Sequence, residues 1–286
     1  HHRVDIQWGN HDIVWMGAAA GSAVCVATVL NSALQYNTLA IVENTYGISL
    51  RDLIGFAQET YKGCTWFMPR SEDDAYYVKN RMDTLSKAHK AIAIIMFKLE
   101  GQLIRRHPEY GMDDRLLLEH IDYTAYTVTI DGQVYPLNDA HFPTVDPADP
   151  YRLSDGEASL MASLVGAFRR SPALRRHIEF LYTCGSLYRV CNGNLLFHGC
   201  IPLCADGSFD TVRTFDGQSL AGRAYMDFCD RTARAAFYDG GQNELDFMYY
   251  LWCGRQSPLF GRSRMTTFER YFVSDCSAWE EVKNPY

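Results

Sequence analysis

The chain has 286 residues, 47% of them hydrophobic and 21% charged, with a formal net charge of -7. That length allows one large domain or two small ones, the composition is that of an ordinary globular protein with a sizeable core, and the acidic balance argues against non-specific nucleic-acid binding. Nine cysteines without a signal-peptide pattern fit a reducing, cytoplasmic setting better than a disulfide framework.

His1 and His2 read as a tag remnant and are left out of site reasoning. There is no initiator Met and the end, Lys283 to Tyr286, has no tail, so the sequence reads as cut from something longer. Val4 to Trp8 alternates apolar and polar residues as a short strand does, and Gly9 supplies a tight turn into a helix. From Ile13 to Leu34 the chain carries no charge. With Gly17 and Gly21 as a G-x-x-x-G pair, that run would suit a membrane-spanning helix. Its Ala, Gly, Ser and Thr content and the lack of a polybasic flank favour a buried helix of a βα unit, with no membrane partner.

Asn44 to Gly47 is a turn, and Ser49 caps a helix through Leu53, Phe56 and Tyr61 that Pro69-Arg70-Ser71 breaks. Ser71 to Asp74 opens a long helix whose Ile92, Ile95, Met96, Leu99 and Leu103 share one face, ending at His107-Pro108. Tyr126 to Tyr135 is a hairpin around Asp131-Gly132. Asn138 to Pro150 is a connector, Ser154 starts a helix interrupted at Pro172, and another run covers Leu174 to Thr183. Ser186 to Val190 and Leu195 to His198 are strands joined by Asn192-Gly193-Asn194, and helices near 218–238 and 243–251 precede the last segment. The expected class is α/β with α+β character: a strand-led piece at 3–35, a mainly helical insertion at 36–184, and a second strand-led piece at 185–286.

Two strand ends carry chemistry. Asn10-His11-Asp12 follow a strand and open a helix, and His198 ends an apolar strand read as buried, with Gly199 removing bulk beside it. The carboxyl edge of a sheet is where α/β proteins place ligands. Asn offers a hard oxygen, and His offers a metal ligand or a proton. A lone His at a strand end is more often structural, so either one alone is weak. Cys184, Cys191, Cys200 and Cys204 lack paired C-x2-C spacing and read as ordinary thiols rather than a zinc site.

Together these pieces resemble the binuclear metallophosphoesterases. More narrowly, "VDIQWGNHDIVWMGAAAGSA", "GNLLFHGCIPL" and "YLWCGRQSPLFGRSRMTTFERYF" are similar to class III fructose-1,6-bisphosphatases from about Val4 to Tyr286. The resemblance implies part of a metallophosphoesterase sheet sandwich in which Asn10 and His198 ligate one ion of a manganese pair, with magnesium the second choice. His11 would stabilise the transition state or protonate the leaving alkoxide of fructose 1,6-bisphosphate, and Asp12 would orient its neighbours or cap the helix. The family's Asp-x-His and Gly-Asp-x-x-Asp-Arg motifs do not occur before Val4, nor a later Gly-His strand, so the chain is expected to be an interior fragment with little activity alone. For the second phosphate, Arg255, Arg262, Arg264 and Arg270 lie in a Gly-, Pro- and aromatic-rich segment without regular periodicity; the plainer reading is a solvated surface. Arg169-Arg170 and Arg175-Arg176 are weaker candidates, and the helical insertion is a candidate lid. The rivals are a protein Ser/Thr phosphatase and a non-catalytic membrane or interaction module.

Overall fold

The computed structural model describes residues 4–70 and 79–281. The tag reading of His1 and His2, the helix start at Ser71 to Asp74 and the last residues, Lys283 to Tyr286, lie outside them. Among the described residues helix takes 55% and strand 12%, a helix-dominated α/β protein.

The chain runs β1 (Ile6–Gln7), α1 (Asn10–Ala20) and α2 (Ala23–Gln35). The expected single helix is two, because Gly21 takes φ 109° in the left-handed region and ends α1, as a C-terminal glycine does. Gly17 serves close packing instead, since a β-carbon there would lie 2.7 Å from the Cys25 sulfur and 2.9 Å from Cβ of Met248. The G-x-x-x-G pair therefore provides a helix break and a close approach inside the fold. Among the described residues no helix is long and apolar enough to cross a membrane.

After a π-helical turn at Ile41–Thr45 come α3 (Arg51–Thr60) and α4 (Lys79–Arg106). α3 ends by itself at Thr60, well before Pro69. From Ala88 to Gly101 every residue of α4 is buried, so the helix is the axis of the core rather than a surface helix with one apolar face. The four buried polar side chains of that stretch have partners: His89 bonds the Phe67 carbonyl and the Tyr271 hydroxyl, Lys90 reaches Asp139 at 2.6 Å, Lys98 reaches Glu157 at 2.7 Å, and Glu100 accepts from Tyr249 at 2.9 Å. Buried polar groups left unpaired would each oppose folding.

A three-stranded antiparallel sheet follows: β2 (Ile121–Asp122), β3 (Thr127–Ile130) and β4 (Gln133–Pro136). The β3–β4 turn has positive φ at both Asp131 and Gly132, the geometry an Asp-Gly hairpin prefers. α5 (Asp155–Arg170) starts with a capping box between Ser154 and Glu157, and α6 (Pro172–Cys184) has Pro172 in its first turn and the Ser171 hydroxyl as its cap.

β5 (Gly185–Ser186) returns to pair parallel with β1, in register Ile6 with Gly185 and Gln7 with Ser186. β6 (Tyr188–Cys191) and β7 (Asn194–Phe197) form a hairpin, as do β8 (Thr211–Arg213) and β9 (Ser219–Ala221). α7 (Gly222–Tyr238), α8 (Gln242–Cys253) and α9 (Thr267–Phe272) complete the chain; α9 puts a short helix in the segment expected to lack one. Among the described residues the strands make four small sheets, and one hydrophobic core runs from Trp8 to Ala278 across all three expected pieces.

Candidate active site

The parallel pair β1–β5 aims the first site residues. Trp8, wholly buried, donates its backbone N–H to the Ser186 carbonyl and its indole N–H to the Leu181 carbonyl, both at 3.0 Å. The Arg234 guanidinium lies over that indole and donates to the carbonyls of Tyr182 and Gly185. Gly9, held at φ -92°, then caps α1 with ordinary extended backbone, so its role is not the conformational freedom of a tight turn. Asp12 accepts the Gly9 N–H at 2.8 Å. That is the reciprocal half of a capping box; Gly9 has no side chain for the other half. Asp12 is thus engaged with the helix end, while Asn10 and His11 on the same first turn take no part in capping.

His198 arrives from β7. That strand is not buried: Leu195, Leu196 and Phe197 are 41%, 42% and 36% exposed. Apolar sequence predicted a buried strand, but the two-stranded hairpin has no layer over it among the described residues. The His198 ring lies against Gly9, whose absent β-carbon would meet Cε1 at 3.1 Å and Nδ1 at 3.2 Å. Gly199 is equally constrained, with the Pro258 carbonyl 2.5 Å from the position of a β-carbon. The Cys200 N–H donates to that same carbonyl at 3.0 Å. Sequence distant by nearly sixty positions is thereby stitched beside His198.

Asn10, His11 and His198 open onto one cavity of about 650 Å³. Arg262 and Arg270 line it too, with Glu281 between them; Arg255 and Arg264 line a separate, smaller hollow, and Arg264 pairs with Asp131 at 2.7 Å. The far wall comes from the helical stretch: Met96, Phe97 and Glu100 of α4, with Arg70 at the rim. Arg115 also reaches the cavity, but its guanidinium is taken by a buried two-point pair with Glu269, each bond 2.8 Å.

Burial lowers the His11 pKa, the Asp12 carboxylate opposes that shift, and the neighbouring His198 adds to it. At neutral pH His11 is therefore an uncharged imidazole, able to donate one N–H and accept at the other nitrogen. Its ring makes a T-shaped contact with Trp252, the ring centroids 4.8 Å apart. Asn10 donates its amide N–H to the Trp252 carbonyl at 3.4 Å, which leaves the amide oxygen for a ligand. Glu100, in the wall, has its pKa pushed up to about 7, chiefly by burial.

Asn10 and His198 are neutral donors and would fill only part of a divalent ion's shell. Among the described residues no group of three or more His, Cys, Asp or Glu could hold an ion, and Cys184, Cys191, Cys200 and Cys204 are not joined in disulfides. By themselves these residues do not fit a pair of divalent cations.

Sequence reasoning missed the α2 wall. Thr28, Asn31, Ser32 and Gln35 all line the cavity, and their spacing of three, four and seven is one helix face. A polar stripe on an uncharged helix was the available signal. Arg70 had none: it reaches the rim because its backbone N–H bonds the Gln35 carbonyl at 2.8 Å.

The sequence profile described as Firmicute fructose-1,6-bisphosphatase matches residues 1–286. Proteins named fructose-1,6-bisphosphatase class 3 are similar over the whole chain: 50% identical in Clostridium novyi, 48% in Clostridium tetani and 46% in Listeria innocua. The chain spans 44% of the length of the two clostridial relatives and 45% of the Listeria one. No solved structure matches it.

Proposed function

This chain belongs to the Firmicute fructose-1,6-bisphosphatase family, and from that premise we propose that it carries part of the active site of an enzyme that hydrolyses the 1-phosphate of fructose 1,6-bisphosphate. The observation that supports the reading is the convergence of Asn10, His11, His198, Arg262 and Arg270 on one cavity from three separate stretches of sequence. In it the His11 imidazole faces the scissile phosphate. As a neutral group it donates an N–H to a phosphoryl oxygen, where negative charge is held in the transition state. Trp252 fixes the His11 ring from one side, and Asp12 acts by holding the helix turn that presents it. Arg262 and Arg270 bring the positive charge that a bisphosphate requires and that the chain as a whole lacks.

The family is metal-dependent in general. We propose manganese as the ion, with magnesium second, and Asn10 and His198 as the two ligands that this chain contributes toward it. The sheet sandwich expected from the resemblance belongs to the same proposal, in which the β1–β5 pair would be one portion of it. A cytoplasmic setting without nucleic-acid or membrane partners completes it.

The test is phosphate release from fructose 1,6-bisphosphate with manganese, measured on this chain and on a polypeptide of the relatives' length that contains it. The expected result is turnover by the longer polypeptide, cut at least about a hundredfold by His11→Ala, and little turnover by this chain alone. Full activity in the His11→Ala protein would overturn the assignment.

A further inference from the structure

We propose that Arg262, Arg270 and Thr266 form the site for the sugar phosphate that is not cleaved, and that the Glu281 carboxylate occupies this site until substrate displaces it. The inference rests on the functional reading above for the identity of the ligand, and on geometry for the site.

Four donors converge on one carboxylate. Arg262 pairs with Glu281 Oε2. On Oε1, the Thr266 hydroxyl donates at 2.6 Å, the Thr266 N–H at 3.4 Å and the Arg270 guanidinium at 3.5 Å. Arg270 is oriented by a second bond, Nε to the Thr266 hydroxyl oxygen at 3.1 Å, and by Trp279, whose ring lies 5.5 Å from its guanidinium carbon. Thr266 is fully buried, so its hydroxyl and amide are fixed donors. The two arginines are half-exposed, while the Glu281 side chain is only 10% exposed.

The charge count is unequal. Two guanidiniums face one carboxylate, which leaves one positive charge that a phosphate dianion would neutralise and Glu281 cannot. Phosphate also brings three terminal oxygens to donors now sharing two, and forked guanidinium donors match that geometry. Glu281 is poorly placed to resist: half-exposed arginine pairs hold weakly because water and salt screen them. Its carboxyl is nevertheless held ionised, below the usual range, since the Thr266 and Arg262 bonds outweigh its burial. Trp279 fixes the backbone two residues earlier, donating its indole N–H to the carbonyls of Glu269 and Val273. Glu281 can therefore leave by rotating its own side chain. Arg262, Arg270 and Glu281 line the cavity of His11 and His198, so a sugar with one phosphate at the histidines can place its other phosphate here.

The experiment titrates this chain, without metal, with fructose 6-phosphate and with inorganic phosphate, following heat of binding and the arginine side-chain NMR signals. Glu281→Gln should bind fructose 6-phosphate about tenfold more tightly, and Arg270→Gln and Arg262→Gln about tenfold more weakly. Arg223→Gln, a change at an exposed side chain that does not line the cavity, should bind like the parent. Melting curves identify any variant that fails to fold, and either arginine variant alone then suffices. Unchanged or weaker binding by Glu281→Gln, or parental affinity in both arginine variants, overturns the proposal, as does absence of binding in the parent and in Glu281→Gln alike. Turnover is not read, so the hydrolytic assignment and this site can fail independently.

Discussion

The His198 imidazole packs directly against the backbone of Gly9, leaving 3.1 to 3.3 Å between its three nearest ring atoms and the position of a β-carbon. Two strand ends, far apart in sequence, are thus brought into register by the absence of one methyl group.

Gly9→Ala tests that contact. Its φ of -92° suits alanine, and losing a glycine stiffens the unfolded chain by about 0.4–1 kcal/mol. The methyl must still push the ring aside by some tenths of an ångström. The melting temperature should move by no more than about 4 °C, while the His198 ring resonances shift and turnover by the longer polypeptide falls roughly tenfold or more. Unmoved resonances would show that the ring has room to spare.

His89 makes the fold acid-sensitive. Burial lowers its pKa to about 4 from the ordinary 6.5, against the pull of its bond to the Phe67 carbonyl. A depressed histidine contributes stability that is present above pH 6.5 and lost as pH falls through 4, on the order of 3 kcal/mol in all. Urea denaturation at about pH 7 and about pH 4.5 should show a smaller difference for His89→Gln than for the parent. Equal differences would place the acid sensitivity elsewhere.

Glu100 acts in the opposite direction. With its pKa raised to about 7 from 4.5, its contribution is full below pH 4.5 and is lost as pH rises to 7, because the unfolded chain ionises first. Glu100→Gln keeps an oxygen for the Tyr249 hydroxyl and cannot ionise. It should match the parent near pH 4.5 and exceed it by about 2–3 kcal/mol at about pH 8. A variant no more stable than the parent at the higher pH would contradict the burial argument.

The Lys98 and Glu157 pair separates stability from function. Both side chains are fully buried, and neither lines the cavity. Lys98→Met leaves a buried carboxylate unpaired and should cost about 3–5 kcal/mol, with fructose 6-phosphate affinity unchanged in the folded fraction. Adding Glu157→Gln should recover part of the loss, although Glu157 also accepts the Ser154 N–H that starts α5. Affinity lost along with stability would place the pair in the binding machinery.

Local signals in the sequence were reliable where the local chain decides. Asp131-Gly132 made its turn, Ser154 made its cap, and Pro172 opened its helix. Burial was less legible. Leu195 to Phe197 read as interior and lie exposed, while α4 shows one apolar face by spacing and is buried on every side, because Lys90, Lys98 and Glu100 bring their own partners inside. In the candidate site, Asn10, His11 and His198 could be named since each sits at a strand end with little else to do. Arg70 and Glu281 could not. One reaches the cavity through a backbone bond to α2 and the other through a loop anchored by Trp279, and neither route leaves a mark in nearby sequence.

The clamp at Trp8 also bears on the order of assembly. Its indole bond closes a loop of 173 residues, and the entropy lost in such a closure, growing as the logarithm of length, is about 4–5 kcal/mol for an unstructured chain. Two-residue strands cannot meet that cost before the intervening helices have condensed and shortened the span. The pairing of β1 with β5, and with it the cavity's histidine end, is therefore expected to come late in folding and to be undone early. Under mild denaturation the chain should lose its ligand site while α4 and the helices around it still stand.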